Sequence, residues 1–470
     1  MLAARSFSIA DRLIPIFAVC LLAALMLFQG GFFSDSSIPI ESIFGSLLFV
    51  LLMVRVVGSA SARVSHRAIG EMPSKVSAGM AFVPVGFLCI ALLYCMSSLV
   101  HGLPIGSLLQ SVPWLLASLT SLSIYAISPD RRRWTMVAVG WLGVLSAWFG
   151  IGIMSGLLPI EGALHVGRLQ FTFQYANAAG AWFACSSLIC MRTEDFRLQR
   201  LLLCPLSALL LTQSIGSIVL FGAIAATCLL ASCVKRKAAG EGANGSARYF
   251  GASFLVQMLI SILVFVGFKS GLDMAEGIGA ISFAALSLAF YKLWPAARRS
   301  IGNGSGTRAF KLVAAILVSL LCVGMLVIFL YLIGARLSQA SGTIVERAEQ
   351  SIDALRLLLM NPILGVGPDQ WQYLYPSVQT ADYESTLVHC GYLQIGLDAG
   401  IPAMLLVLAL LIVGIIRSAK GRQSCAWPPI AFLALHSFID FDLMFAFFPV
   451  LLGLLLSVAS DRRKVQAQKG

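Results

Sequence analysis

The chain has 470 residues, of which 59% are hydrophobic and only 11% charged, with a mean hydropathy of +0.89. That balance excludes a soluble domain and reads as an all-α polytopic membrane protein. The net charge of +12 comes from Lys and Arg scattered through short loops, which suits orientation in a bilayer and excludes a nucleic-acid-binding surface.

The apolar run over 13–33 has no small-residue cleavage site before its end and reads as a retained first span rather than a removed signal peptide. At roughly 20 apolar residues per crossing, further spans are predicted at 39–57, 78–100, 104–127, 135–158, 171–191, 251–268, 277–294, 312–334, 392–416, 427–442 and 444–459. Leu201–Cys233 is too long for one crossing, about 50 Å as a helix against a core of about 30 Å. It is therefore predicted as two short helices turning near Gln213–Ser217, for about 14 spans in all (12 to 14).

Charge supports that split. With both termini cytoplasmic, the basic clusters at Arg131–Arg133, Arg192–Arg200, Lys235–Lys237, Arg298–Arg308, Arg417–Arg422 and Arg462–Lys464 all fall inside, leaving only Arg168, Lys269, Arg336, Arg347 and Arg356 outside. Reading Leu201–Cys233 as one crossing would put the later clusters outside, against the positive-inside bias. The expectation is one integral-membrane domain over 1–470, with a large extracytoplasmic loop at 335–391. Ten of the eleven cysteines fall in spans or inside; only Cys390 is predicted at the outer surface. No exported disulfide framework is expected, and no His/Cys spacing suggests a metal or cofactor.

The outer loop is the polar, aromatic-rich island of the chain. Thr343–Met360 has apolar residues at Ile344, Ala348, Ile352, Leu355 and Leu359 with charges elsewhere, the pattern of an amphipathic interfacial helix that would roof the bundle and stop before Pro362. After it come the turn-forming NPILGVGP and the aromatics Trp371, Tyr373, Tyr375 and Tyr383. Their faces suit either headgroup anchoring or packing against sugar rings, and both readings stand for Trp371 and Tyr373.

The string from Arg347 through NPILGVGPDQW to VHCGYLQIGLDAGIP resembles the outer-loop signature of the O-antigen ligase and polymerase superfamily, an Asn-Pro-x-x-Gly-x-Gly turn followed by His-Asn-x-Tyr-Leu and an acid-x-Gly-Ile. GRLQFTFQYANAAGAW at 167–182 resembles the family's Arg-x-x-x-Thr-Phe-x-x-x-Asn segment, and HSFIDFDL at 436–443 its late His-x-x-x-Asp segment. Two positions depart from the pattern. TQSIGS carries Ile215 where the family has an arginine associated with the donor's phosphates, and Cys390 stands where Asn is usual.

The resemblance implies a metal-independent membrane glycosyltransferase in the cytoplasmic (inner) membrane. It would transfer a glycan from a lipid-linked oligosaccharide or polysaccharide, a polyprenyl pyrophosphate, to a hydroxyl of a glycolipid, glycan or protein acceptor on the outer face. Such a reaction needs a base for the acceptor hydroxyl and cations for the leaving pyrophosphate. His389 is the expected base. Arg168 and Arg347 are the phosphate candidates, because a planar guanidinium grips two phosphate oxygens at once; Asn177 and Gln174 are candidate contacts to donor sugar or phosphate. Asp398 lies 2.5 turns beyond His389, on the opposite helix face, and is expected in a buried interhelical hydrogen bond. His436 and Asp440, at i and i+4, are expected to form a structural polar pair. Ligase and polymerase share this chemistry. A transporter or flippase for a lipid-linked glycan is the alternative from another class, but it calls for charged or broken midplane helices and related halves.

Overall fold

The computed structural model describes residues 2–67, 82–238, 246–269, 283–292, 334, 345–420 and 425–459. Among them, six helical stretches are long and apolar enough to cross a membrane: Ile9–Leu27, Ser37–Gly58, Phe82–Val100, Ile105–Ala126, Pro129–Met154 and Gly391–Ala419. Shorter apolar helices accompany them, and the protein is an all-α, multi-pass integral membrane protein. The span predicted at 312–334 lies outside the described residues except at Gly334. The chain forms two compact units, residues 1–139 with 345–470, and residues 140–344.

The first unit holds α1 (Leu2–Leu27), α2 (Ser34–Arg67), α3 (Phe82–Val100), α4 (Ile105–Leu109), α5 (Val112–Ala126) and the start of α6 (Pro129–Met154). Small residues let its helices approach closely, as expected where lipid supplies no hydrophobic drive between helices. A Cβ at Gly453 would lie 2.6 Å from Ala117 O, and nearby Ser457 Oγ donates to Ser121 O at 3.3 Å. Arg132 ties α6 to α5: its Nε and Nη2 donate to Ile124 O and Tyr125 O at 3.0 and 2.7 Å, capping carbonyls that the end of α5 leaves without partners.

In the second unit a two-stranded hairpin, β1 (Leu164–His165) and β2 (Arg168–Leu169), precedes α7 (Ala176–Arg192), α8 (Phe196–Arg200), α9 (Leu203–Thr212), α10 (Ile215–Ala238), α11 (Ser246–Lys269) and α12 (283–292). Leu201–Cys233 is broken where its length required. α9 stops at Thr212, Gln213 takes a left-handed φ of 51°, and α10 begins at Ile215.

The rest of the first unit is α13 (345–360), α14 (Trp371–Leu374), α15 (Gly391–Lys420), α16 (Trp427–His436) and α17 (Phe447–Ala459). Two expectations change here. The apolar stripe of α13 does not roof the bundle: Ile352, Leu355 and Leu359 are exposed, while Gln350, Asp353, Ala354, Leu357 and Leu358 are buried. Specific partners for Gln350 and Asp353 outweigh the apolar pattern, because a buried polar group is retained only when satisfied. Second, α16 ends at His436, leaving Asp440 in a non-helical turn.

α15 is discontinuous, and its break explains two of the sequence motifs together. Pro402 has no N–H and crowds the carbonyl of the preceding turn, and Gly400 adopts φ 89°. Ile401 N–H therefore turns to Pro362 O at 2.8 Å, and the vacated Leu397 O accepts from Val366 and Gly367 N–H at 2.7 and 3.2 Å. The NPILGVG loop is thus the plug for a broken helix, closed from α3 by Ser97 Oγ donating to Leu364 O at 2.7 Å. Irregular backbone at membrane depth persists when it finds such partners.

Candidate functional site

The polar side chains of the first unit converge at the start of α15. The first N–H groups of a helix lack intrahelical acceptors, and here the neighbouring turn supplies them: Gly391 N–H donates to Ser437 O and Asp440 O at 2.8 and 3.0 Å. Just before the helix, Val388 N–H donates to Gln394 Oε1 at 2.9 Å and His389 N–H to Gln350 Oε1 at 3.0 Å. The backbone carrying His389 is therefore fixed from two helices. Its imidazole stays partly open, with 28% side-chain exposure, and Nδ1 has no hydrogen-bond partner among the described residues.

Asp440 joins His389 to Arg347. Its carboxylate, 2% exposed, places Oδ1 3.9 Å from His389 Nδ1 and Oδ2 3.8 Å from Arg347 Nη1. Both distances exceed hydrogen-bond reach, so the contacts are electrostatic. Burial alone would push the Asp440 carboxyl up, but His389, His436 and Arg347 around it hold it below the usual carboxylate range. Arg347 Nη1 also donates to Ile439 O at 3.2 Å, while its Nε has no hydrogen-bond partner among the described residues. Phe441 lies against the imidazole, ring centres 5.2 Å apart, and stacks in turn on Phe445. A potential base, a carboxylate and a guanidinium thus share one patch beside an aromatic wall.

His436 and Asp440 lie close enough to interact electrostatically, but a side-chain hydrogen bond of His436 goes elsewhere. The helix stops at His436, Asp440 N–H still donates to His436 O at 3.0 Å, and His436 Nδ1 bonds Asp442. Asp442 was not singled out in sequence, although an acid six residues after a buried histidine was a signal to weigh. Asp398 does make an interhelical bond: Tyr94 OH donates to Oδ2 at 3.2 Å, and Gln394 Nε2 to Oδ1 at 2.8 Å.

Trp371 needs a correction as a ligand contact. It is fully buried, its Nε1 donates to Ser385 Oγ at 3.0 Å, and its ring packs on Tyr375, which stacks on Tyr383. It is a pillar of the loop, with no face left for a sugar. Tyr373, at 70% exposure, is open. Cys390 is buried, against the surface position expected from its place in the loop, because it is the last residue before α15 and packs with that helix's first turn.

The other end of the loop is latched by Asp353. Burial would raise this carboxyl, but the Thr380 N–H, Tyr383 OH, Thr380 Oγ1 and Arg356 together hold it low. A depressed folded-state pKa contributes stability above the ordinary carboxylate range and loses it as the pH falls through the folded value. Limited proteolysis within 379–383 should therefore accelerate below about pH 4, and Asp353→Asn should show the same cleavage at neutral pH. Cleavage of the variant at the wild-type rate would refute the latch.

Arg168, Gln174 and Asn177 form their own cluster in the second unit. Arg168 Nε donates to Thr212 O at 3.1 Å and Nη2 to Asn177 Oδ1 at 3.4 Å, while Gln213 Nε2 donates to Gly167 O at 2.8 Å. The guanidinium thereby ties the β-hairpin to the α9–α10 break. Asn177 Nδ2 donates to Tyr175 OH at 3.1 Å, and Gln174, with φ 54°, donates through Nε2 to Glu161 O at 3.2 Å. Ile215 opens α10 and is half-buried.

A helical membrane protein with a plugged, broken helix and a His–Asp–Arg patch at its start is the class that fold and site define. Within that class, residues 275–408 match the family model described as O-antigen ligase. The matched stretch includes Arg347, Gln350, His389 and Asp398, and stops before Asp440. No curated protein matches the chain.

Proposed function

We propose that this protein transfers a glycan from a polyprenyl-pyrophosphate donor to an acceptor hydroxyl at the outer face of the cytoplasmic membrane. The observation that carries the reading is the juxtaposition of His389 and Arg347 across Asp440, within or beside the stretch that matches O-antigen ligase. His389 takes the proton of the acceptor hydroxyl as its oxygen attacks the anomeric carbon; the bond from that carbon to the pyrophosphate oxygen breaks, and the electron pair leaves on the pyrophosphate. Arg347 meets the charge that develops there. Asp440 orients the imidazole and balances the charge it gains, and the exposed Tyr373 offers a face to sugar.

Donor identity is tested in a deletion strain by analysing surface glycan and lipid-linked intermediates. Full-length unligated chains indicate a ligase and single repeats a polymerase; accumulation on the inner face would overturn transfer in favour of a flippase. Arg347→Ala and Arg168→Ala should each reduce donor use, by roughly tenfold or more for the loss of a charge-assisted bidentate contact. Lysine should rescue poorly because it cannot grip two oxygens. Ile215→Arg should leave donor affinity equal or higher, since Ile215 is only half-buried at the start of α10. Rescue by lysine at both sites would remove phosphate gripping from the scheme.

A further inference from the structure

Gln350 stands where three parts of the outer loop meet. It is 4% exposed and lies one helical turn after Arg347 on α13. Its Oε1 accepts from His389 N–H at 3.0 Å; its Nε2 donates to Leu387 O at 3.2 Å and contacts Ser385 Oγ. Ser385 Oγ also donates to Leu387 O at 2.8 Å and accepts from the indole of Trp371. A buried amide with both ends engaged is a stiff connector, because withdrawing either end leaves a buried polar group unsatisfied. Its oxygen and nitrogen are not interchangeable here: the oxygen faces an N–H and the nitrogen faces a carbonyl.

The consequence reaches beyond the loop. Arg347 and His389 both approach Asp440 only to 3.8 and 3.9 Å, so direct bonding does not set their separation. Two links remain: the 437–440 turn, which accepts from Arg347 at Ile439 O and from Gly391 N–H at Ser437 O and Asp440 O, and the turn of α13 from Arg347 to Gln350, whose side chain is hydrogen-bonded to the His389 backbone itself. Gln394 holds Val388 from α15, but α15 carries no cation at the site. We propose that Gln350 is a positioning residue that fixes His389 relative to Arg347, so that the base and the cation for the leaving group are held at one spacing. The inference rests on the transfer reading above. It assigns Gln350 no contact with substrate.

The test uses the full chain in nanodiscs and lipid-linked glycan extracted from a deletion strain, titrated from limiting to saturating. Gln350→Met fills the space without the amide and should lower the maximal rate by about 10- to 100-fold, the scale set by misplacing a catalytic group by about 1 Å. Half-saturation by donor should stay within about twofold, since the lost interaction belongs to the chemical step. Gln350→Glu, kept protonated by burial and by the facing Leu387 carbonyl, retains an acceptor for His389 N–H and an O–H donor for Leu387 O, and should recover most of the rate. Carbethoxylation of His389 by diethyl pyrocarbonate, followed by mass spectrometry, should differ from wild type in Gln350→Met and match it in Gln350→Glu, with buried His436 as the internal control. A wild-type rate in Gln350→Met, an equal loss in both variants, or identical His389 labelling throughout would overturn the assignment. Should Gln350→Met fail to insert, Gln350→Asn replaces it, with the amide retained but its oxygen withdrawn by one methylene; it should be slower than Gln350→Glu, and the reverse order overturns the proposal. Full transfer in His389→Ala would instead sink the transfer chemistry itself, while the labelling comparison would still report on Gln350.

Discussion

His389→Ala should abolish measurable glycan transfer while leaving expression and insertion intact, because a general base at the attacking hydroxyl contributes typically 10²- to 10⁴-fold in rate. The residue's surroundings make the change clean. His389 is held through its backbone N–H by Gln350, a bond that alanine keeps, and its Nδ1 has no hydrogen-bond partner among the described residues to be orphaned. Asp440→Asn should also slow transfer, and the double variant should be scarcely worse than His389→Ala, since groups acting as a unit are not additive. Cys390→Ser is the matched control. The position immediately precedes α15, where the thiol already meets the Tyr392 and Leu393 N–H groups and a serine oxygen can accept from them in its place, so transfer and stability should hold or rise slightly. Transfer at the wild-type rate in His389→Ala would remove the base from the scheme. Loss in Cys390→Ser would show that the surrounding loop tolerates no change, and His389→Ala alone could not then identify a base.

The membrane class and the α9–α10 break were legible because both follow from bulk quantities, hydropathy and length. α9 ends at Thr212, inside the uncertainty of a turn predicted near Gln213–Ser217. The burial of α13 was not legible, since periodicity records where apolar residues recur but not which polar ones have partners. Gln350 and Asp353 are drawn inward by the His389 backbone and by Thr380 and Tyr383, contacts made across 27 to 39 residues of sequence. The further partners of Asp440 were hidden for a related reason. The i, i+4 rule pairs Asp440 with His436 alone, whereas the carboxylate, in the turn after the helix ends at His436, also meets His389 and Arg347 from elsewhere in the chain. Local spacing also misplaced Trp371, whose neighbours Gln370 and Gln372 are half-buried while its own ring is fully buried. The resemblance singled out the stretch from Arg347 to Ile401 but carried no information on which of its aromatics face inward.

Gly400→Ala and Gly365→Ala should be the most destabilising single-methyl additions in this part of the protein. At Gly400, φ is +89° and an added Cβ would sit 1.9 Å from Ile363 O and 2.4 Å from Ile363 C; at Gly365, φ is +67° and the Cβ would sit 2.1 Å from Leu397 O. All three obstructing atoms are backbone, so relief requires moving the plug away from the helix break. That movement would also release the hydrogen bonds of Ile401, Val366 and Gly367. The loss should reach about 4 kcal/mol or more, the range in which single substitutions are diagnostic of a specific clash. Gly102 supplies the comparison. Its φ is +61°, but a Cβ there meets nothing within 4 Å, so Gly102→Ala should cost only the left-handed backbone penalty of roughly 1–2 kcal/mol. Thermal melting of the purified proteins in detergent separates the two effects, and the ordering matters more than either value. Equal melting temperatures for Gly400→Ala and Gly102→Ala would mean that the loop does not dock on the break in α15. The backbone that presents Val388 and His389 would then lose its support from below, since Gln394 and Asp398 lie on the same short helical segment that the plug holds in place.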